Sequence, residues 1–342
     1  MILTCDANGY SRQEWNGLLT GIVKPVAGGI FPGIIFQGEK YDTGTLILGF
    51  DQRFEATVCK EISNPDHDFE NELLSFASSG VEMNTVLIFI DGLSRRISHI
   101  IESLFLVLGL DHNFIGGGCG SASMTKGPCI LSNEGLLEDA AIVSLIPAKI
   151  GLGVRHGWES ISGPLKVTSS DYNIIRTIDY RPAYEIYSKT INTCCPDEMN
   201  PDNFALESKK YPLGIRKWGA EMLVRDPFIL TEAGDLTCIG EVPKGSFVEI
   251  LNGESDSLIR AAAEARELSI MDTEASPEVV FVIDCISRYM FLGKDFDREL
   301  ESLKYGNIPM IGAMTIGEIA NDGKQYPEFF NKTIVVGSFY AS

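Results

Sequence analysis

One pattern recurs three times along the chain: an apolar strand that ends in aspartate, a helix, a second strand, a glycine turn and a further strand. The two clear copies begin at Val86–Asp91 and Val279–Asp284, and a weaker copy begins at Ile2–Asp6. Short hydrophobic runs between polar turns are typical of buried strands. Since a repeated unit restricts the fold more than any single motif does, we predict an α/β (α+β) protein. Its repeated β-α-β-β units are expected to form mixed sheets covered by helices, in two related portions.

The middle of the chain has a different sequence pattern, in which short predicted strands are separated by polar turns. Within it, the segment Cys194–Pro201 has the turn-forming composition of a linker. At 342 residues the chain is long enough for about two domains. We therefore predict an N-terminal domain over residues 1–193 and a C-terminal domain over residues 202–342.

The charge of the chain limits its partners. The formal net charge is −19 at pH 7, whereas nucleic acids and anionic membranes are bound by cationic surfaces. No apolar run approaches the ~20 residues that span a bilayer, and no basic residue precedes the first apolar stretch as in a secretory signal. The eight cysteines include no C-x-x-C pair, which indicates reduced thiols and no metal or cofactor. We predict a cytoplasmic protein with no nucleic-acid partner and no membrane span.

The glycine turns allow two interpretations. Backbone N–H groups of Gly116, Gly117 and Gly118, at a turn after a parallel strand, could form an anion-binding nest in the usual crevice of an α/β sheet. Alternatively, the glycines serve close packing of helix and strand and bind nothing. The role of the aspartates that end the repeated strands also has two interpretations, since Asp284 and its counterparts could cap a helix or contact a ligand.

Several polar residues interrupt otherwise apolar segments and have the chemistry of a ligand site. Arginine offers a planar fork to a carboxylate, glutamate matches an amine, and tryptophan forms an apolar or cation-accepting wall. The alternative is that Arg288 with Glu318, or Arg225 with Asp226, forms an internal ion pair that holds loops together. The residues in question are Arg155, His156, Trp158, Arg225, Arg288 and Glu318.

Signatures of catalysis are scarce. The chain contains four histidines, and it has no phosphate-binding loop, nucleophile elbow or H-E-x-x-H motif. An enzyme would have to use Cys119, Cys285 or Glu318 on a small polar metabolite. Without a nucleophile and base at a recognisable spacing, we expect no enzyme. A protein-interaction scaffold is the third alternative.

Taken together, these motifs resemble the FIST family, named for F-box and intracellular signal-transduction proteins. The resemblance extends from Ile2 to Tyr340 in the family's order, N-terminal part first. The segments that carry it are Ile115–Gly118, Gly153–Trp158, Val167–Thr168, Pro182–Tyr187, Tyr211–Gly214, Arg225, Gly240, Gly245, Asp284–Arg288, Gly317–Ile319 and Asn331–Thr333. Cys285–Arg288 lacks the glycine that commonly precedes this arginine in the family.

The resemblance implies a cytoplasmic sensory module that binds a small ligand, such as an amino acid. Many relatives carry a signalling output domain or an F-box, and because this sequence shows neither, we expect a separate signalling protein as partner. A homodimer through apolar strand edges near the chain's end is a further expectation. The expected ligand-binding residues are Gly116, Gly117, Gly118, Arg155, His156, Trp158, Arg225, Asp284, Arg288 and Glu318.

Overall fold

A computed structural model describes residues 1–51, 54–77, 85–195, 198–217, 221–271, 275–321 and 326–340. Its helices are α1 (Arg12–Leu19), α2 (Phe69–Ala77), α3 (Ile97–Leu108), α4 (Ala183–Cys194), α5 (Phe204–Glu207), α6 (Ser255–Ser269), α7 (Ile286–Leu292) and α8 (Phe296–Ser302).

The strands up to the middle of the chain are β1 (Ile2–Cys5), β2 (Ala27–Phe31), β3 (Gly33–Phe36), β4 (Glu39–Tyr41), β5 (Thr45–Ile47), β6 (Glu55–Lys60), β7 (Thr85–Asp91), β8 (Asn113–Cys119), β9 (Ile130–Ser132), β10 (Gly135–Leu137), β11 (Ala140–Ile146) and β12 (Lys149–Arg155). The remaining strands are β13 (Glu159–Ser160), β14 (Leu165–Asp171), β15 (Ile174–Ile178), β16 (Arg181–Pro182), β17 (Leu213–Ile215), β18 (Leu223–Leu230), β19 (Leu236–Ile239), β20 (Phe247–Asn252), β21 (Val279–Cys285), β22 (Met310–Thr315), β23 (Glu318–Ala320), β24 (Glu328–Phe330) and β25 (Ile334–Tyr340).

The three sequence repeats fold into three equivalent units. In each unit a first strand and a second strand are parallel neighbours, namely β1 and β2, β7 and β8, and β21 and β22. A helical segment connects them, as a parallel pair requires. A last strand then pairs antiparallel with the first, and these last strands are β5, β11 and β25. The predicted β-α-β-β repeat and mixed sheets are confirmed.

Between its second and last strands each unit carries a β-hairpin, and each hairpin joins the sheet of a different unit. The hairpin β3–β4 of the first unit pairs with β22 of the third. The hairpin β9–β10 of the second unit pairs with β2 of the first. The hairpin β23–β24 of the third unit pairs with β8 of the second. The exchange is cyclic, so that each of the three sheets contains strands from two units.

The three sheets share one hydrophobic core. Side chains from all three sheets, including Leu3, Phe89 and Phe281, belong to a single buried cluster. The opposite faces of the sheets pack against helices, for example α3 through Ile100 and Leu104. Because both faces are covered, the strands are nearly continuous apolar runs rather than alternating ones.

The segment between β12 and α6 forms a closed antiparallel barrel. Its strands pair in the cyclic order β14, β15, β19, β18, β17 and β20, and β20 returns to β14. The helix α4 buries Ile186, Tyr187 and Ile191 in the cluster that also holds the barrel interior. Closure of the ring leaves these six strands without a free edge in it.

The chain's last described strand offers no free edge. The strand β25 lies between β12 and β21 and pairs with both, so the apolar edge from which a homodimer was expected is used within the chain. The homodimer itself stays a prediction. Of the predicted linker Cys194–Pro201, residues 196–197 lie outside the described residues. Among the helices that the structure describes, none is both long and apolar enough to traverse a membrane.

Candidate functional site

The structure places the residues expected to bind a ligand in three different surroundings. The three glycines lie within β8, Arg225 lines an open cleft, and the others lie inside the molecule or at the edge of its interior. The buried group, which we call the core polar cluster, consists of His156, Trp158, Asp284, Arg288 and Glu318 together with Asp226, Glu299 and Lys332.

The glycines of β8 allow an unusually close approach of neighbouring backbone. A Cβ atom on Gly116 would lie 1.7 Å from the carbonyl oxygen of Ile88, and one on Gly118 would lie 2.1 Å from that of Ile316. The N–H of Gly118 donates to the carbonyl oxygen of Gly317 at 2.8 Å. These contacts give the glycines a packing role; ligand binding through them stays a prediction.

Arg288 is the centre of the core polar cluster. Its guanidinium is fully buried and donates to the carbonyl oxygens of His156 at 2.6 Å and Leu258 at 3.0 Å, and to Glu299 Oε1 at 3.0 Å. Its Nε atom lies 3.4 Å from Asp284 Oδ1. The residue therefore connects α7 with α6, α8 and the end of β12. It forms internal ion pairs, but with Glu299 and Asp284 instead of Glu318, and Asp226 pairs with Lys332 instead of Arg225.

Glu318 is a carboxyl group held in the interior in its protonated form at neutral pH. Burial raises its pKa to about 8, because removal from water disfavours the charged state. Thr315 Oγ1 donates to Glu318 Oε1 at 2.9 Å, and the N–H of Thr333 points to Oε2 at 3.3 Å. Burial and the neighbouring Glu299 likewise raise the pKa of Asp284 well above its usual range.

His156 and Trp158 link this cluster to the barrel. Burial and the positive charges of Arg288 and Arg155 lower the pKa of His156 to about 4, so its imidazole is neutral and accepts from the N–H of Trp158 at Nδ1. The indole N–H of Trp158 donates to the carbonyl oxygen of Lys332 at 3.1 Å. The Lys332 ammonium lies 3.4 Å from Asp226 Oδ2, on strand β18 of the barrel.

Arg155 lies at the edge of the interior. Its side chain is about one-third exposed and lies 3.6 Å from a carboxylate oxygen of Glu221 and 3.6 Å from one of Glu264. The arginine therefore shares its charge between two partially exposed carboxylates, and its role in ligand binding stays a prediction.

Sequence reasoning missed Glu299 and Lys332. Glu299 lies in the segment Asp297–Glu301 of α8, whose other charged residues are exposed. The neighbouring sequence does not indicate that this glutamate is buried, because its burial depends on the contact with Arg288 of α7.

A cleft of about 1250 Å³ lies between the barrel and the three-unit body. Barrel strands β17, β18 and β20 and the 240–246 loop form one wall, and Ser98 of α3 and Glu328 of β24 lie opposite. A smaller cavity of about 190 Å³ shares Ser98 and Glu241 with the cleft. It lies beyond the carboxyl end of β7, where α/β sheets commonly bind ligands, and contains Arg95 and Arg96.

Arg225 is a buried cation that forms no ion pair within 4 Å among the described residues; burial lowers its pKa, while the negative charges of Glu328 and Glu241 raise it. It is only 3% exposed, and its contacts are the carbonyl oxygens of Glu241 at 2.8 Å, Val224 at 3.0 Å and Phe329 at 2.9 Å. These contacts use Nε and Nη1, while Nη2 has no acceptor among the described residues. Gly240 makes the arrangement feasible, because a Cβ there would lie 3.0 Å from Arg225 Nε.

The cysteines considered as nucleophiles are inaccessible. Cys119 and Cys285 are buried, and burial raises the pKa of each thiol well above its usual range. Because the thiolate is the reactive form, both side chains are poorly suited to nucleophilic attack.

Comparison with known families identifies the chain. The model of the FIST N domain matches residues 4–181, and that of the FIST C domain matches residues 183–321. No curated protein matches the chain. The two matches cover most of its length, and the junction between them falls at the start of α4, inside the barrel region. The chain therefore belongs to the FIST family, whose domains are sensory domains of signal transduction.

Proposed function

We propose that this protein is a sensory domain that binds a small carboxylate-bearing metabolite, such as an amino acid, in the cleft beside Arg225. The main observation behind this proposal is the buried Arg225 guanidinium, which lines the cleft and whose Nη2 has no hydrogen-bond acceptor among the described residues. A buried charge without a counter-ion is costly, and a charge-assisted hydrogen bond to a carboxylate would offset that cost.

Glu241 supports the amino-acid class. Its backbone oxygen accepts from Arg225, and its side chain lines both the cleft and the smaller cavity. A carboxylate beside the guanidinium matches the ammonium group of an amino acid whose carboxylate is bound by Arg225. Of the ten predicted ligand-binding residues, Arg225 thus remains in our proposed site. The core polar cluster adjoins it through Asp226, the next residue of β18, which lies 3.4 Å from the Lys332 ammonium.

The position of the cleft suits a sensor. Arg225 Nη1 donates from the barrel to Phe329 of β24, and Lys217 Nζ donates to Glu328 Oε1 at 2.7 Å across the same junction. A ligand bound there changes the contacts between barrel and three-unit body. We propose that a separate signalling protein reads this change in the cytoplasm, where reduced cysteines, as found here, are the normal state.

Thermal shift measurements against a panel of amino acids and related metabolites test this function. A ligand at 100 times its Kd adds about 2.7 kcal/mol of stability, which raises Tm by several degrees. Arg225→Lys keeps the charge but loses the planar fork, and we expect at least a tenfold loss of affinity. Arg176→Lys, at an exposed arginine paired with Asp171, is the matched control and should bind normally.

The variant Glu241→Gln tests whether Glu241 recognises the ammonium group of the ligand. We expect it to weaken amino acids while leaving the affinity for the corresponding carboxylic acids without an amine unchanged. A panel without any stabilising ligand, or ligands that bind Arg225→Lys as tightly as the parent, would contradict the proposal and favour a protein-interaction scaffold.

A further inference from the structure

We infer that the cleft accommodates a short peptide with a free C-terminal carboxylate, and that a single amino acid fills only part of it. This inference rests on the proposed function, because it assigns the same site and the same arginine. It differs in the size and class of the ligand.

The volume of the cleft is the first argument. Clefts that bind small molecules typically enclose about 300–1,000 Å³, and this one encloses about 1250 Å³. The smaller cavity, at about 190 Å³, is closer to the size of one small group. A ligand that fills the cleft therefore extends well beyond the atoms that Arg225 and Glu241 recognise.

The distribution of charge is the second argument. Elsewhere on the lining, Arg216 pairs with Glu249 at 2.6 Å and Lys217 pairs with Glu328 at 2.7 Å, so these charges are already neutralised. Arg225, by contrast, is a buried cation of the lining with no carboxylate within 4 Å among the described residues, and its hydrogen bonds go to carbonyl oxygens. Together with the Glu241 carboxylate beside it, this arrangement suits a ligand with a carboxylate for Arg225 and an adjacent N–H donor for Glu241, as at a peptide C-terminus.

The apolar lining is the third argument. Ile215, Leu223, Pro243 and Phe247 line the cleft between these polar pairs, and Phe247 is 54% exposed. Apolar contacts interrupted by polar groups match peptide side chains and amides. A long-chain fatty acid also carries one carboxylate, but its alkyl chain would lie against the ion pairs without satisfying them. The lining therefore favours the peptide.

Titration calorimetry with a ladder of leucine- and valine-containing peptides of one to five residues tests the inference. We expect at least a tenfold gain in affinity from one residue to three, and at least a tenfold loss when the C-terminal carboxylate is amidated. Phe247→Ala should weaken the three-residue peptide several-fold and leave the single amino acid unaffected. Phe36→Ala, at an exposed phenylalanine outside the cleft lining, is the control.

Three results would overturn the peptide ligand. They are equal affinity of a single amino acid and the peptides, equal affinity of free and amidated peptides, and tighter binding of decanoate than of any peptide. If an amino acid binds through Arg225 without any gain from longer peptides, the proposed function stands and this inference fails. If neither amino acids nor peptides bind the folded protein, both fail.

Discussion

At the scale of single residues, the interior of the molecule holds more carboxyl groups than cations can neutralise. Asp284, Glu299 and Glu318 are fully buried around Arg288. Burial of like charges together keeps protons on some of them at neutral pH. Among the described residues, both carboxyl oxygens of Asp284 and Oε2 of Glu299 are buried without a hydrogen-bond partner, so the cluster is not fully satisfied by its own hydrogen bonds.

The protonation of Glu318 makes a specific prediction about stability and pH. Its pKa is about 8 in the folded protein and about 4.3 in an unfolded chain. Between these values the folded state holds a proton that the unfolded state has released. The stabilisation is therefore complete below about pH 4.3 and is lost as pH rises towards 8, at up to about 1.4 kcal/mol per pH unit.

Glu318→Gln tests this prediction, because the amide can accept from the Thr333 N–H and donate to Thr315 Oγ1. In urea unfolding between pH 5 and pH 9, we expect the variant to lose stability less steeply with pH than the parent. Glu301→Gln, at an exposed carboxylate, should keep the parental slope. Equal slopes for the parent and Glu318→Gln would show that Glu318 is ionised in the folded protein.

The difference between Arg225 and Arg288 also belongs to the residue scale. Arg225 lies within the strand β18 and Arg288 in the first turn of α7, just after β21, and we expected both in a ligand site. Arg288 lies against Glu299 and Asp284, whereas Arg225 lies against carbonyl oxygens at the edge of a cleft. Each arginine has an aspartate close by in sequence, but Asp284 lies 3.4 Å from Arg288, whereas Asp226 lies 3.4 Å from the Lys332 ammonium. The local pattern therefore could not distinguish the arginine with an ion pair from the one without.

At the scale of elements, the strands and their glycines follow directly from the sequence. Apolar runs that end in Asp91 and Asp284 predicted the central strands, and both aspartates end or nearly end those strands. The exchange of hairpins was not predicted. Hairpin partners are chosen by the packing of whole sheets, and the short segments Ile130–Ser132 and Glu318–Ala320 give no sign of which sheet they join.

The glycine in β8 gives a prediction for this element. A Cβ on Gly118 would lie 2.1 Å from the Ile316 carbonyl oxygen and 2.8 Å from Gly92 Cα, and backbone atoms cannot move aside as a flexible side chain can. We expect Gly118→Ala to destabilise the protein by several kcal/mol through strain between β8 and the 316–317 turn. Chemical unfolding measures the change.

Gly127→Ala is the matched control for this substitution. No atom lies within 4 Å of a Cβ built at Gly127, so its free energy of unfolding should change by less than about 1 kcal/mol. A similarly small effect of Gly118→Ala would mean that β8 can shift away from the turn, and that the glycines are kept for another purpose such as ligand binding.

At the scale of the whole molecule, the cyclic exchange of hairpins ties the two predicted domains together. The boundary between residues 1–193 and 202–342 separates β3 from β22 and β8 from β23, although these strands pair. It also separates β14 and β15 from β17 to β20, which together close the barrel. Composition and linker signals predicted a boundary in the chain, but they carry no information about pairing between strands on its two sides.

We predict that neither half folds alone. Residues 1–193 expressed separately expose the edges of β3 and β8 and contain only part of the barrel. Unpaired edges and incomplete cores favour aggregation over folding. We expect each fragment to lack a cooperative thermal transition, and co-expression of both to restore one.

A full chain cleaved at a protease site inserted within 194–201 should stay folded, because cleavage there breaks none of these pairings. A cooperative transition in either isolated fragment would instead establish two independent domains, and the cleft between barrel and body would then lie within a more loosely coupled structure.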